Sequence, residues 1–262
     1  MRRSRCALLA KPVALLAVTF ATTIFVAQWL SQFQSSKPLH SAPRRPASAG
    51  RRFVLWLHGL GDSGSANEPL EDVFTSPELR SAAWSFPSAP ASPVTCYGGS
   101  VMPSWFDILE LPITVDSRND EDSVLKAVWN VHAMIDKEVA AGTNPDNIFV
   151  SGFSQGGALT LASVLLYPKT LGGGAVFAGW IPFNSSVIER IPPDAKRTPI
   201  LWSHGTSDRT VFFEAGQAGL ASLKRAGLSC EFKAYQGLGH ELNKQELSYM
   251  ESWIKARLQG SS

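Results

Sequence analysis

Residues 148–167 read IFVSGFSQGGALTLASVLLY, and the fold follows from them. An apolar, β-rich run (Ile148, Phe149, Val150) meets Gly152-Phe153-Ser154-Gln155-Gly156, and a helix-forming run follows. That order gives G-x-S-x-G between a strand and a helix, the pattern that lifts a serine hydroxyl above a sheet edge on a sharp turn. A serine in a strained turn tolerates only small neighbours, which the glycines two before and two after provide. The helix that begins there turns its first N–H groups toward any negative charge forming beside the serine. A serine capping a helix after a Gly-rich turn would share the five-residue pattern; the strand before and the helix after give it weight.

Strands and helices alternate outward from this stretch. FVLWL at 53–57 is an unbroken apolar run, as expected of a strand buried on both faces. It leads into the Gly-rich loop His58-Gly59-Leu60-Gly61-Asp62-Ser63-Gly64, in which His58 reads as a structural, backbone-bonding histidine. A short strand is expected at 84–87. Residues 87–119 read as a long irregular loop, too apolar for disorder, that either lids the site or tucks onto the core. Val124, Val128, Val131, Ile135 and Val139 repeat at helical spacing within 120–141, and Gly142 ends that helix. Further strands are expected at 174–178, 199–203 and 231–235, with helices at 211–226 and 243–258. Buried strands alternating with helices predict an α/β fold, a mostly parallel central sheet with helices on both faces.

In such sheets, sites form at the carboxyl ends of the strands. Ser154, Asp208 and His240 each sit just past a different predicted strand. Their order, serine then aspartate then histidine, is that of a Ser-His-Asp triad on the α/β-hydrolase fold.

Composition bounds the alternatives. The 262 residues, 44% of them hydrophobic, can bury one large core. A net charge of +2 is too small to argue for a nucleic-acid partner, and the basic excess belongs to the front of the chain, where no Asp or Glu precedes Asp62. Three cysteines without metal-ligand spacing fit free thiols, so neither a disulfide framework nor a metal site is expected. No phosphate-cradling or dinucleotide motif occurs, and no cofactor is expected.

Residues 1–50 read as a basic, apolar leader and flexible tether, and 51–262 as the catalytic domain. The apolar run 13–30 is about long enough to cross a bilayer as a signal-anchor helix. A cleaved secretory peptide or a transit peptide remain as alternatives, so an organelle or the secretory pathway stays open beside the cytoplasm.

With these residues in place, the chain resembles the acyl-protein thioesterase and small carboxylesterase family of α/β-hydrolases over roughly residues 53–258. The resemblance is carried by LHGLGDSG at 57–64, MPSWFDI at 102–108, GFSQGGAL at 152–159, HGTSD at 204–208 and GLGHEL at 237–242. It implies Ser154 as nucleophile, His240 as base and Asp208 as its orienting partner, with the backbone N–H groups of Leu60 and Gln155 as the oxyanion hole. Trp105, Phe106, Trp180 and Val211 are the candidates for an acyl-site wall, with core packing the alternative for each. Arg209-Thr210 stands where relatives often carry proline and a branched aliphatic residue. The resemblance implies an acyl ester or thioester substrate, S-acylated proteins among them, and a cytoplasmic enzyme without metal or cofactor. The alternatives are a short-chain carboxylesterase or deacetylase, a lysophospholipase, or a non-catalytic ligand receptor. The oligomeric state is left open.

Overall fold

All five residues of strand β1 (Phe53–Leu57) are buried, and their side chains divide between two apolar clusters. Phe53, Leu55 and Leu57 join one cluster; Val54 and Trp56 join the other. Alternate residues of a strand face opposite ways, so an unbroken apolar run is what a strand covered on both sides requires. Each fully buried Leu or Val contributes roughly 1.5–3 kcal/mol. The computed structural model describes residues 50–260.

The strands β1, β2 (Ala83–Ser85), β5 (Ile148–Phe153), β6 (Gly173–Phe177), β7 (Ile200–Gly205) and β8 (Cys230–Tyr235) form one parallel sheet in the order β2-β1-β5-β6-β7-β8. Four long helices cover it: α1 (Glu121–Ala140), α2 (Gln155–Leu166), α3 (Phe213–Arg225) and α4 (Lys244–Gly260). Val124, Val128, Val131 and Ile135 of α1, with Leu159 and Ala162 of α2 and Leu223 of α3, pack in the cluster that holds Leu55. Leu247, Met250 and Ile254 of α4 pack in the cluster that holds Trp56. The α/β expectation, with helices on both faces of a parallel sheet, is met.

Local signals set the helix ends. The Asp120 carboxylate accepts the Ser123 N–H at 3.3 Å as the N-cap of α1, and Glu121 and Asp122 follow in the first turn. Gly142 adopts φ 91° just past the last turn, a conformation that costs glycine little.

The expectation of an irregular stretch at 87–119 needs correction. Strands β3 (Ala91–Val94) and β4 (Ser100–Pro103) pair antiparallel there as a separate two-stranded hairpin. Gly98 and Gly99, at φ 66° and 81°, supply its turn. Pro93 and Pro103 lack N–H groups and hid these strands from pattern reading, yet a two-stranded ribbon is all edge and accommodates them. Further on, Ile113 makes an isolated parallel bridge with Val211 and ties the end of this stretch to the segment that follows β7.

No helix among the described residues is long and apolar enough to cross a membrane. The leader, with the candidate signal-anchor run 13–30, lies outside the described residues.

Candidate functional site

Ser154 sits between β5 and α2 at φ 57°, ψ −119°, a positive φ that L-residues rarely adopt. Its N–H donates to Phe177 O at 2.8 Å, and its carbonyl receives Ala158 N–H at 2.9 Å, so strand and helix hold the turn from both sides. The glycines make room for it. A Cβ at Gly156 would stand 2.0 Å from Leu57 O, and one at Gly152 would stand 2.5 Å from Gly156 O. Helix α2 therefore approaches the end of β1 at backbone contact.

The fold brings together the three residues expected from the sequence. Ser154 Oγ lies 2.9 Å from His240 Nε2, and His240 Nδ1 lies 2.7 Å from Asp208 Oδ2. A carboxylate only accepts, so Nδ1 carries the proton and Nε2 is free to accept from the serine hydroxyl. The other Asp208 oxygen, Oδ1, accepts the Thr210 N–H at 2.8 Å and the Val211 N–H at 2.9 Å. Burial by itself would raise the Asp208 pKa. Hydrogen bonds from His204, His240 and Thr210 outweigh burial and hold its carboxyl well below the usual carboxylate range. The aspartate is therefore ionised at neutral pH.

Leu60 and Gln155 follow neighbouring strands. Leu57 of β1 pairs with Gly152 of β5, so the segments carrying the two amides leave adjacent strand ends side by side. Gln155 opens α2, where first-turn N–H groups have no carbonyl one turn back. The loop bearing Leu60 is braced by Gly61 N–H to Pro103 O at 2.8 Å, with Gly61 at φ 77°.

The four candidate wall residues divide. Phe106, Trp180 and Val211 are buried in one cluster with Ile108 and Ile113, and the Phe106 and Trp180 rings meet edge-on at 6.0 Å. Trp180 Nε1–H donates to Asn119 Oδ1 at 3.2 Å. Trp105 is half-buried, its ring 4.9 Å from that of His58, and its Nε1–H donates to His58 O at 2.8 Å. It also borders an open 370 Å³ groove beside α1, with Pro90, Met134 and Lys137. His58 is fully buried, with Nδ1–H donating to Gly59 O at 2.7 Å and Nε2 accepting Ala89 N–H at 2.9 Å. Both ring nitrogens are committed to backbone, which fits its structural reading.

Sequence reasoning missed the side chain of Gln155. It is fully buried, its Oε1 accepts Trp105 N–H at 3.1 Å, and its Nε2 donates to Ser104 Oγ at 2.9 Å and Phe106 O at 2.7 Å. The residue whose amide was singled out thus also clamps the segment around Trp105. Only its place inside G-x-S-x-G could have drawn attention to it. Glu246 was missed as well: its carboxyl oxygen Oε2 accepts Asn243 N–H and the Asn243 side chain accepts Glu246 N–H, both at 2.9 Å, a reciprocal cap at the start of α4. Burial pushes its pKa up to about 8.

Among the described residues, no group of three or more His, Cys, Asp or Glu side chains could hold a metal ion. Cys96 and Cys230 are free thiols, which burial pushes up to about 11 and about 12, away from the reactive thiolate. Cys6 lies outside the described residues.

The chain is 60% identical over 262 residues to the probable carboxylesterase SOBER1-like of Arabidopsis thaliana, covering 100% of this chain and 99% of that protein. It superposes on the crystal structure of Arabidopsis thaliana SOBER1 with a TM-score of 0.79 and 68% identity, over 79% of this chain and 99% of that one. More distantly, it is 32% identical to acyl-protein thioesterase 1 of Cryptococcus neoformans, over 81% of this chain and 95% of that protein. The family model for phospholipase/carboxylesterase matches residues 41–258. With that match across most of its length, the chain belongs to the phospholipase/carboxylesterase family of α/β-hydrolases.

Proposed function

We propose that this chain is a serine hydrolase that cleaves carboxylic esters and thioesters, with Ser154 as nucleophile, His240 as base and Asp208 as its orienting partner. The observation that carries this reading is the hydrogen-bonded line from Ser154 Oγ through His240 to Asp208 Oδ2, at 2.9 and 2.7 Å, built on a serine held at φ 57°. His240 Nε2 takes the Ser154 proton as Oγ attacks the acyl carbonyl, and Asp208 stabilises the imidazolium that forms. The N–H groups of Leu60 and Gln155 meet the oxyanion; loss of one such donor costs on the order of a hundred- to a thousand-fold in rate. His240 then protonates the leaving alcohol or thiol. Water, deprotonated by the same nitrogen, releases the acid and regenerates Ser154. The line of three residues argues against the non-catalytic receptor.

The acyl group is proposed to be short. Phe106, Ile108, Ile113, Trp180 and Val211 are all buried in one apolar cluster, in which the Phe106 ring meets that of Trp180 and Ile113 bridges Val211, while Val211 N–H donates to Asp208 and Phe106 O accepts from Gln155. Apolar side chains buried beside both Gln155 and Asp208 favour a short-chain carboxylesterase or deacetylase. Depalmitoylation, the activity suggested by the thioesterase relatives, needs that cluster to open. As in the resembled family, the catalytic domain, residues 51–262, is read as cytoplasmic, with membrane contact through 13–30; fractionation of cells expressing the chain with and without those residues tests this.

The deciding experiment times hydrolysis of aryl esters and thioesters from acetyl to palmitoyl by the full chain, beside Ser154→Ala. Short-chain turnover that disappears in the variant, together with fluorophosphonate labelling of the parent alone, supports the reading. Turnover persisting to palmitoyl would return the depalmitoylase. A chain inert on every acyl group and unlabelled would revive the receptor.

A further inference from the structure

Strand β7 carries a second histidine beside the candidate acid. His204 is fully buried, with Nε2 at 2.9 Å from Val211 O and 3.5 Å from Asp208 Oδ2, the oxygen that also receives His240 Nδ1 at 2.7 Å. A carbonyl only accepts, so Nε2 carries the proton and Nδ1 presents a lone pair. That Nδ1 is buried without a hydrogen-bond partner. It faces Gly216 of α3, where a Cβ would stand 2.6 Å away, and the ring packs edge-on to Phe213 at 5.8 Å. A buried acceptor left unpaired costs on the order of 1–3 kcal/mol. An apolar side chain would fill the slot without that cost, so the imidazole is not there for packing. Its polar contacts both run from Nε2, to Val211 O and to Asp208 Oδ2.

The contacts close a loop. Val211 offers its carbonyl to His204 and its N–H to Asp208 Oδ1, with Thr210 N–H beside it. Oδ1 is thereby held by two amides on a turn anchored to His204. Oδ2 is left to His240, with the His204 N–H on its flank. We propose that His204 is a positioning residue: it pins the turn from Asp208 to Val211 and so keeps Oδ2 of Asp208 aimed at His240. This rests on the triad reading above. His204 touches no reacting atom and acts only through Asp208. Gly216 makes room for the ring, since a Cβ there would stand 2.6 Å from Nδ1.

The test compares His204→Phe, which fills the slot without a donor, with His204→Gln, whose amide N–H2 reaches about as far as Nε2. Turnover of an aryl ester by the full-length chain is followed as kcat and KM, with the pH profile of kcat/KM and thermal melts alongside. For the Phe variant, kcat is expected to fall at least about tenfold with KM within about twofold, the signature of a lost transition-state interaction. The acid limb of its pH profile should move to lower pH, because a misaligned Asp208 supports the His240 imidazolium less. The Gln variant should keep kcat within about threefold of the parent, which a role in packing alone would not predict. A folded Phe variant with the parental kcat and acid limb overturns the proposal, as does a Gln variant as impaired as the Phe one. Should the Phe variant not fold, His204→Asn, whose shorter amide stops short of Val211 O, takes its place with the same expectations. Ser154→Ala run in parallel separates the two readings. If it stays active, the triad assignment fails; if it is inert while the Phe variant matches the parent, only the His204 proposal fails.

Discussion

The side-chain amide of Gln155 and the backbone of Trp105 are joined by a 3.1 Å hydrogen bond across fifty residues of sequence. Gln155 also holds Ser104 and Phe106, and Trp105 in turn holds His58 O, two residues before Leu60. One buried side chain thus links the start of α2 to the loop that carries Leu60.

Removing that side chain while keeping its backbone N–H is expected to be costly. Gln155→Ala leaves the Trp105 N–H without its acceptor, a loss of roughly 1–3 kcal/mol in urea denaturation. Its kcat should fall, yet remain above that of Ser154→Ala, because the Gln155 amide is still present. Unchanged stability and unchanged kcat together would remove the clamp from the account.

The approach of α2 to β1 leaves no space at Gly156. A methyl group there meets Leu57 O at 2.0 Å and His58 O at 2.6 Å, and neither backbone oxygen can swing aside. Gly156→Ala should therefore lose at least roughly 1–3 kcal/mol and push Gln155 away from Leu60. A melting temperature equal to the parent's would show that the helix can shift without cost.

Glu246 gives the stability curve a defined slope. Buried at the start of α4, its carboxyl keeps its proton in the folded chain up to about pH 8, against an ordinary value of 4.5. Between those values the unfolded chain binds fewer protons than the folded one, so stability falls as pH rises through the window. Glu246→Gln keeps an oxygen for Asn243 N–H but cannot ionise. Its advantage over the parent should be absent below the window, grow through it and level off above it. Urea denaturation at several pH values reads this directly, and a constant difference would mean the carboxyl is not held protonated.

Ile113, buried in one cluster with the candidate wall residues, pairs with Val211, and its N–H donates to Thr210 O on the turn that holds Asp208. Ile113→Ala removes buried methyl groups and should cost roughly 2–5 kcal/mol. The same space becomes available to substrate, so the preferred acyl chain should lengthen in a series from acetyl to palmitoyl. Lost stability with an unmoved chain-length optimum would place the acyl group elsewhere.

The parts legible in the sequence are those written by local sterics. FVLWL at 53–57 is apolar throughout because a strand covered on both faces needs every side chain apolar, and it lies where expected. G-x-S-x-G marks the strained turn because only glycine tolerates the backbone contacts around Ser154. Ser154, Asp208 and His240 could be named from their places just past three strands, since a parallel sheet gathers its strand ends along one edge. The hairpin of β3 and β4 was not legible, since its prolines read as breakers.

What tertiary structure alone decided are contacts set by the register of strands and by packing between distant segments. That Gln155 faces Ser104 and Phe106, and that Ile113 lies along Val211, depends on how the stretch after β4 is laid against the sheet. His204 stands four residues before Asp208 in HGTSD, yet only the turn back through Val211 puts its N–H beside the carboxylate. Periodicity and turn chemistry act over a few residues and leave their record in the chain. The aim of a side chain across the core is fixed by every element packed around it, and no short stretch of sequence contains that.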